Sequence, residues 1–182
     1  MRIIAGTVGG RTIKAPDTTE TRPATDRVRE AVFSMIGSGA VGARVLDLYA
    51  GSGSFGLEAL SRGAATATFV ENGRVALKAL KHNIGTLGIG GRAVAASVPS
   101  YLARDPGTFS LVFIDPPWDL DRERLEQEFL LLDRFLTADA TVVTSRRYAD
   151  PLPRQPKNWR VATDRRYGDT RILIYDRMAE EE

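Results

Sequence analysis

Short apolar stretches recur along the chain, separated by segments whose apolar residues fall every three or four positions. RVLDLYA (44–50) and FSLVFID (109–115) are nearly continuous apolar runs, as expected of strands buried on both faces of a parallel sheet. ATATFVE (65–71), the weaker RAVAAS (92–97) and ATVVTS (140–145) read as further strands, and TRILIYD (170–176) alternates as a late one. Helices are predicted over 54–62, over 74–87 and over 122–136, the last with Leu125, Phe129, Leu132 and Leu136 at helical spacing. Strands alternating with helices predict a doubly wound α/β sheet. Ahead of it, residues 1–14 read as a short hairpin turning at Gly9-Gly10, and TDRVREAVFSMIG (25–37) as a capped amphipathic helix ended by Gly37. PLPRQPKNWR (151–160) reads as an irregular loop, Tyr167-Gly168-Asp169-Thr170 as a hairpin turn, and MAEEE as a frayed tail. The expected organisation is one domain over 1–182: an N-terminal extension (1–40), a catalytic core (41–177) and a polar tail (178–182).

Composition narrows the chemistry. The 182 residues are 43% apolar and 26% charged, the profile of a globular chain with a full core. No run approaches the ~18–20 apolar residues of a membrane span, and MRIIAGTVGG lacks a signal-peptide apolar core, so the cytoplasm is expected. There is no cysteine, which excludes disulfides, thiolate metal sites and cysteine nucleophiles. The single histidine, His82, makes a histidine-rich metal site implausible, and no metal is expected. Net charge is only +2, but residues 144–177 carry nine basic side chains against four acids, and residues 1–14 carry Arg2, Arg11 and Lys14 with no acid. Basic ends around a near-neutral body fit a polyanion-binding rim, because phosphate neutralisation supplies most non-specific nucleic-acid affinity.

DLYAGSGSFG contains Gly51-x-Gly53-x-x-Gly56, formally a dinucleotide fingerprint, with Glu71 standing 20 residues past Gly51 as a ribose contact would require. Asp47 argues against a pyrophosphate. It lies four residues before the first glycine, at the end of the first strand, where a cofactor bearing an ammonium group would gain from its charge. S-adenosylmethionine has that group, carries no phosphate and keeps a ribose diol, and is favoured over NAD.

FIDPPWDL (113–120) ends a core strand with an acid, two prolines and a tryptophan. An exocyclic purine amine has two N–H bonds that need acceptors and a lone pair delocalised into the ring. Asp115 and the carbonyl of Pro116 can each accept one N–H, which pulls the nitrogen toward a tetrahedral shape. Pro116 and Pro117 remove competing donors and stiffen the turn. Trp118 offers a face on which an unpaired base can stack. Direct displacement at a methyl carbon, without a covalent intermediate, is the chemistry expected.

The blocks RIIAGTVGGR, TRPATDRVREAVF, LDLYAGSGSFGLEALSRGA, FIDPPW and RYGDTRILIY span the chain nearly end to end. Together they resemble the small-subunit methyltransferase D family of RNA methyltransferases, which modify N2 of a guanine in bacterial 16S ribosomal RNA. The resemblance implies a class I, Rossmann-like methyltransferase fold with a mainly parallel seven-stranded sheet and an N-terminal hairpin and helix. It also implies S-adenosylmethionine as donor and action during small-subunit assembly, on an assembly intermediate or the 30S particle, with ribosomal proteins as further contacts. A monomer is expected. Carried over, Asp47, Tyr49, Gly51, Gly53, Glu71, Asn72, Ser97 and Asp115 would hold the cofactor, and Asp115, Pro116, Pro117 and Trp118 the guanine. Arg2, Arg11, Arg22, Arg27 and Arg29 would face RNA. The chain departs from the family pattern at four places. Trp118 replaces Tyr or Phe, Ser97 stands where Asp is frequent, Asn72-Gly73 follows Glu71 without a second acid, and Thr144 takes a Glu position.

The same acceptor geometry serves an adenine N6 amine in RNA or DNA, and similar Pro-Pro logic serves a glutamine side-chain amide in a protein. A non-catalytic RNA-binding module and an NAD-dependent oxidoreductase complete the alternatives. The basic termini count against the protein substrate, and the intact DPPW turn against the non-catalytic module.

Overall fold

The computed structural model describes residues 1–16, 25–104 and 106–179. Seven strands form one sheet: β1 (Arg44–Leu48), β2 (Thr66–Glu71), β3 (Arg92–Ala95), β4 (Phe109–Ile114), β5 (Leu136–Arg147), β6 (Trp159–Tyr167) and β7 (Thr170–Arg177), in the order β3-β2-β1-β4-β5-β7-β6. The first five run parallel, and β7 lies antiparallel between β5 and β6. This is the mainly parallel sheet of the class I methyltransferase fold. Helices α1 (Asp26–Ile36), α2 (Ser54–Ser61) and α3 (Arg74–Leu87) cover one face, and α4 (Val98–Leu102) and α5 (Arg122–Asp133) the other.

Alternation along each strand divides the core between the two faces. Val45, Phe69, Phe113 and Val143 pack toward α1–α3 with Phe33 and Phe55, while Leu46, Leu48, Val112 and Ile114 pack toward α4 and α5 with Phe129, Trp159 and Tyr175. Burying each such side chain contributes about 1.5–3 kcal/mol. The same alternation sends Asp47 and Asp115 toward the α1–α3 side. That placement governs the site.

The capped first helix is found. Thr25 accepts the Val28 N–H at 3.3 Å, and Gly37 ends the helix at φ +56°. Residues 1–14 reverse direction with a single bridge, Arg2 to Thr12, rather than forming paired strands. Backbone bonds still join the two arms, from the Ile3 N–H to the Arg11 carbonyl at 2.9 Å and from the Ile13 N–H to the Met1 carbonyl at 3.1 Å, and other backbone donors go to side chains of α2 and α3. Glu58, fully buried, accepts the N–H of Ile4 at 2.7 Å and of Ala5 at 3.1 Å, and Asn83 accepts the Lys14 N–H at 2.8 Å. Gly6 sits so close to α2 that a Cβ would fall 1.8 Å from the Ser61 carbonyl oxygen. The GLEALSRGA block is therefore the seat of the extension.

Three further expectations change. The loop reading of 151–160 fails at its end, because Trp159 begins a nine-residue strand that no pattern announced. As an edge strand β6 is mostly exposed, so WRVATDRRY carries no clean alternation. The fifth strand extends to Leu136–Arg147 at the expense of the predicted helix, which stops at Asp133, and Ser97 caps the unanticipated five-residue α4. Among the described residues no helix is long and apolar enough to cross a membrane.

Candidate active site

Strand order reverses between β1 and β4, whose C-terminal ends therefore flank a crevice. The turn leaving β1 is strained at its start: Tyr49 takes φ +59°, the one positive value outside glycine among the described residues. A side chain there costs about 1–2 kcal/mol. The Tyr49 hydroxyl donates to both oxygens of Glu128 on α5, at 2.7 and 2.8 Å, which holds the turn open from behind. Burial and the Glu128 charge push the Tyr49 phenol up, so the ring stays neutral. Gly51 follows at φ +56° with open space where a Cβ would project.

Glu71, at the end of β2, accepts the Gly51 N–H at 2.8 Å on one carboxylate oxygen and the Gly73 N–H at 2.6 Å on the other. Each oxygen keeps a second lone pair for a hydroxyl. Beside it lies a shallow concavity, with Val70 and Val98 as apolar walls and Tyr49, Glu71, Asn72, Ser97 and Arg124 as polar lining. Apolar walls, a carboxylate and an open glycine backbone fit an adenosine. Ser97 lines this concavity although its hydroxyl also accepts the Ser100 N–H at 3.4 Å, and Asn72 is exposed at the rim.

Asp47 and Gly53 differ from the expectation that they line a cofactor directly. Asp47 is 1% exposed and accepts the Gly56 N–H at 2.9 Å, tying α2 beneath the turn. Burial pushes its carboxyl well above the usual range, the Gly56 bond opposes this, and the charges of Asp115 and Glu71 push it further. Asp47 thus lies beneath the turn rather than on its surface, within electrostatic reach of Asp115 and Glu71. Gly53 is buried, and a Cβ there would fall 2.5 Å from Leu80 and 3.3 Å from Phe69. It serves packing.

Across the crevice, Asp115 is half-buried and accepts a short hydrogen bond from the Ser145 hydroxyl on β5. Burial pushes its carboxyl up and the serine bond holds it down. The Pro117 carbonyl takes the Leu120 N–H at 3.0 Å, whereas no hydrogen bond among the described residues reaches the Pro116 carbonyl. One Asp115 oxygen and the Pro116 carbonyl are therefore free to accept. A second, shallow depression at Asp115 is lined by Phe55, Ser145 and Ile172. Trp118 is half-buried, with the Arg147 guanidinium 5.1 Å from its ring centre.

The arginines expected to face RNA divide. Arg2 and Arg27 are exposed, Arg2 lying 3.8 Å from Asp26. Arg11 is exposed but donates to the Thr86 and Leu87 carbonyls at 2.7 and 3.2 Å, closing the C-terminus of α3. Arg29 is fully buried and bonds the Arg2 carbonyl and Asp26, so it fixes the extension and does not face RNA. Burial pushes its guanidinium down, with Asp26 and Glu58 opposing. Arg22 lies outside the described residues. Sequence reasoning missed Arg124, Glu128 and Ser145: Glu128 and Ser145 meet Tyr49 and Asp115 from far along the chain, and Arg124 joins them only through Glu128, four residues on. Thr144, singled out instead, donates to the Ile114 carbonyl at 2.9 Å and is a buried tie between strands. Among the described residues no cluster of three or more His, Asp or Glu could hold a metal ion.

The model of the family described as "Conserved hypothetical protein 95" matches residues 1–176. The chain is 38% identical to Ribosomal RNA small subunit methyltransferase D of Escherichia coli strain K12, covering 100% of this chain and 92% of that one. The chain belongs to the small-subunit methyltransferase D family. The Haemophilus influenzae protein of the same name is 30% identical over 96% of this chain and 93% of its own. The solved structure of yhhF from Escherichia coli superposes with a TM-score of 0.89 at 38% identity, covering 99% of both chains.

Proposed function

We propose that this chain transfers a methyl group from S-adenosylmethionine to the exocyclic N2 amine of a guanine in 16S ribosomal RNA. The observation that carries the reading is the acceptor-only turn, in which Asp115 and an unengaged Pro116 carbonyl stand beside Trp118 with no backbone donor between them. The names of the relatives point the same way, since those proteins are called methyltransferases of small-subunit ribosomal RNA. When bound, S-adenosylmethionine supplies an electrophilic methyl group. Glu71, with Tyr49, Gly51, Asn72 and Ser97, would hold its adenosine, and Asp47 would favour its positive charge through the turn.

The protein's own groups act on the amine. Asp115 and the Pro116 carbonyl each accept one N–H, which localises the nitrogen lone pair and aims it across the crevice. The Ser145 hydroxyl occupies one oxygen of Asp115, fixing the other toward the incoming amine. A methylated amine must shed a proton, and Asp115, its pKa raised by burial, is the base at hand. Trp118 stacks the base while Pro116 and Pro117 keep the acceptors in place. The substrate in this account is an assembly intermediate or the assembled small subunit, met by a monomer in the cytoplasm, with 1–40 as the RNA-facing extension.

The test is methyl transfer from labelled S-adenosylmethionine to small subunits from cells lacking this gene, followed by nucleoside analysis. Label in N2-methylguanosine at one site is expected. Label in N6-methyladenosine would move the substrate to adenine, and no label in RNA would overturn the reading.

A further inference from the structure

Within β5, β6 and β7, ion pairing engages most of the arginines, and those left without a pair gather at one edge. Arg146 pairs with Asp150, Arg154 with Glu126, Arg160 with Asp176, Arg171 with Asp164 and Arg177 with Asp133. Arg147, Arg165 and Arg166 have no ion pair among the described residues, and all three are exposed. The sheet register sets them together. Arg147 lies opposite Thr170, which lies opposite Tyr167, while Arg165 and Arg166 lie opposite Ile172 and Arg171. The end of β5, the end of β6 and the start of β7 thus share the edge at which Asp115 leaves β4.

Aromatic rings interleave with this charge. The Arg147 guanidinium lies over Trp118, and the next residue, Tyr148, carries Arg166 at 4.2 Å and Arg171 at 5.0 Å from its ring centre. The geometry is held in place: the Tyr148 N–H donates to the Asp169 carbonyl at 2.7 Å, and the Arg166 side chain to the Gly168 carbonyl at 2.7 Å. A guanidinium stacked on a ring keeps its N–H edge free for phosphate and its outer face free for a base. Asp169 in the turn, and Asp115 and Asp119 beside Trp118, are also without an ion pair among the described residues, so the positive charge of this edge is local to Arg147, Arg165 and Arg166.

We infer that this edge, formed by Arg147, Tyr148, Arg165 and Arg166 beside Trp118, is a second RNA-docking surface that grips phosphates and stacks one unpaired base next to the target nucleotide. It rests on the reading of the chain as an RNA methyltransferase and adds where the flanking RNA runs. The RNA enters between this edge and the N-terminal extension. Both its ends are then held while the target base reaches Asp115.

The test measures binding of the full-length protein to small subunits lacking the modification, at several salt concentrations, with cofactor binding followed by titration calorimetry. Arg147→Ala with Arg166→Ala is expected to leave cofactor affinity unchanged, to raise KM for the subunit with little change in kcat, and to lower the slope of log K against log salt by about 0.7–0.9 per arginine. Tyr148→Ala is expected to weaken subunit binding about tenfold without changing that slope, and Tyr148→Phe to retain parental affinity. Lys157→Ala, at the opposite end of β6, is the charge control and should change nothing. Parental affinity and slope in the double variant, with methyl transfer intact, would overturn this surface alone. An equal loss in Lys157→Ala would reduce it to bulk charge and overturn it too. A parent protein that neither binds nor methylates the subunit would overturn the functional reading as well.

Discussion

Asp47 and Asp115 stand at the ends of neighbouring parallel strands and point to the same side of the sheet, yet the fold treats them in opposite ways. Asp47 is enclosed, and a backbone N–H of α2 occupies one of its oxygens. Asp115 is half-open, touches a single serine hydroxyl, and is followed by two residues that have no N–H to offer. What differs is the chain that follows each one. After Asp47 come Tyr49 and three glycines, which wrap backbone donors around the turn. After Asp115 come prolines, which withhold them. One turn consequently presents donors above a buried acid, and the other presents acceptors.

Substitutions can break this division. The largest effect is expected for Asp115→Ala, which removes one of two acceptors from the amine. By analogy with loss of a single oxyanion-hole donor, transfer should fall on the order of 10²–10³-fold in single-turnover assays. An activity near that of the parent would sink the acceptor-turn account. Glu71→Ala comes next, with cofactor Kd expected to rise about 10–100-fold and transfer at saturating cofactor to stay near parental. An unchanged Kd by calorimetry would remove Glu71 from the cofactor site. Gly56→Ala tests the scaffold, because its Cβ would fall 2.4 Å from the Phe69 ring. Overpacking there should cost about 1–3 kcal/mol, seen as a lower melting temperature, with cofactor affinity following only through stability.

The smallest effect concerns pH. Because burial raises the Asp47 pKa in the folded chain, the parent binds that proton more tightly folded than unfolded. Its stability should therefore decline as pH rises from the usual aspartate range through the raised value. Asp47→Asn keeps an acceptor for Gly56 and has no charge to desolvate. In the absence of cofactor it should gain stability over the parent toward neutral pH, while losing cofactor affinity. A variant that melts below the parent at every pH would show that Asp47 is no burden to the apo fold.

How far these roles could be read from the sequence depended on whether the partners are close along the chain or held by a strong local constraint. β1 and β4 were legible as continuous apolar runs because both faces of a central strand are buried. The spacing of Gly51 and Glu71 was legible as a ribose-binding arrangement, while the hydrogen bond from the Gly51 N–H to the Glu71 carboxylate was not. β6 was not legible, since an edge strand needs no apolar face. Ser145 and Glu128 carry no local signal: each meets its partner across 30 or 79 residues of chain, and only the fold brings them together. Arg29 was misread although the clue was present. It precedes Val32 and Phe33 by three and four residues, which places it on the buried side of α1.

The division of labour is tested most directly by measuring cofactor affinity and single-turnover transfer side by side on Asp115→Ala and Glu71→Ala. The expected result is a crossing: Asp115→Ala keeps a cofactor Kd within about twofold of the parent and loses transfer. Glu71→Ala should lose affinity and regain transfer when cofactor is raised. If Asp115→Ala lost cofactor affinity in proportion to transfer, both carboxylates would belong to one cofactor site, and the acceptor turn would have no separate role.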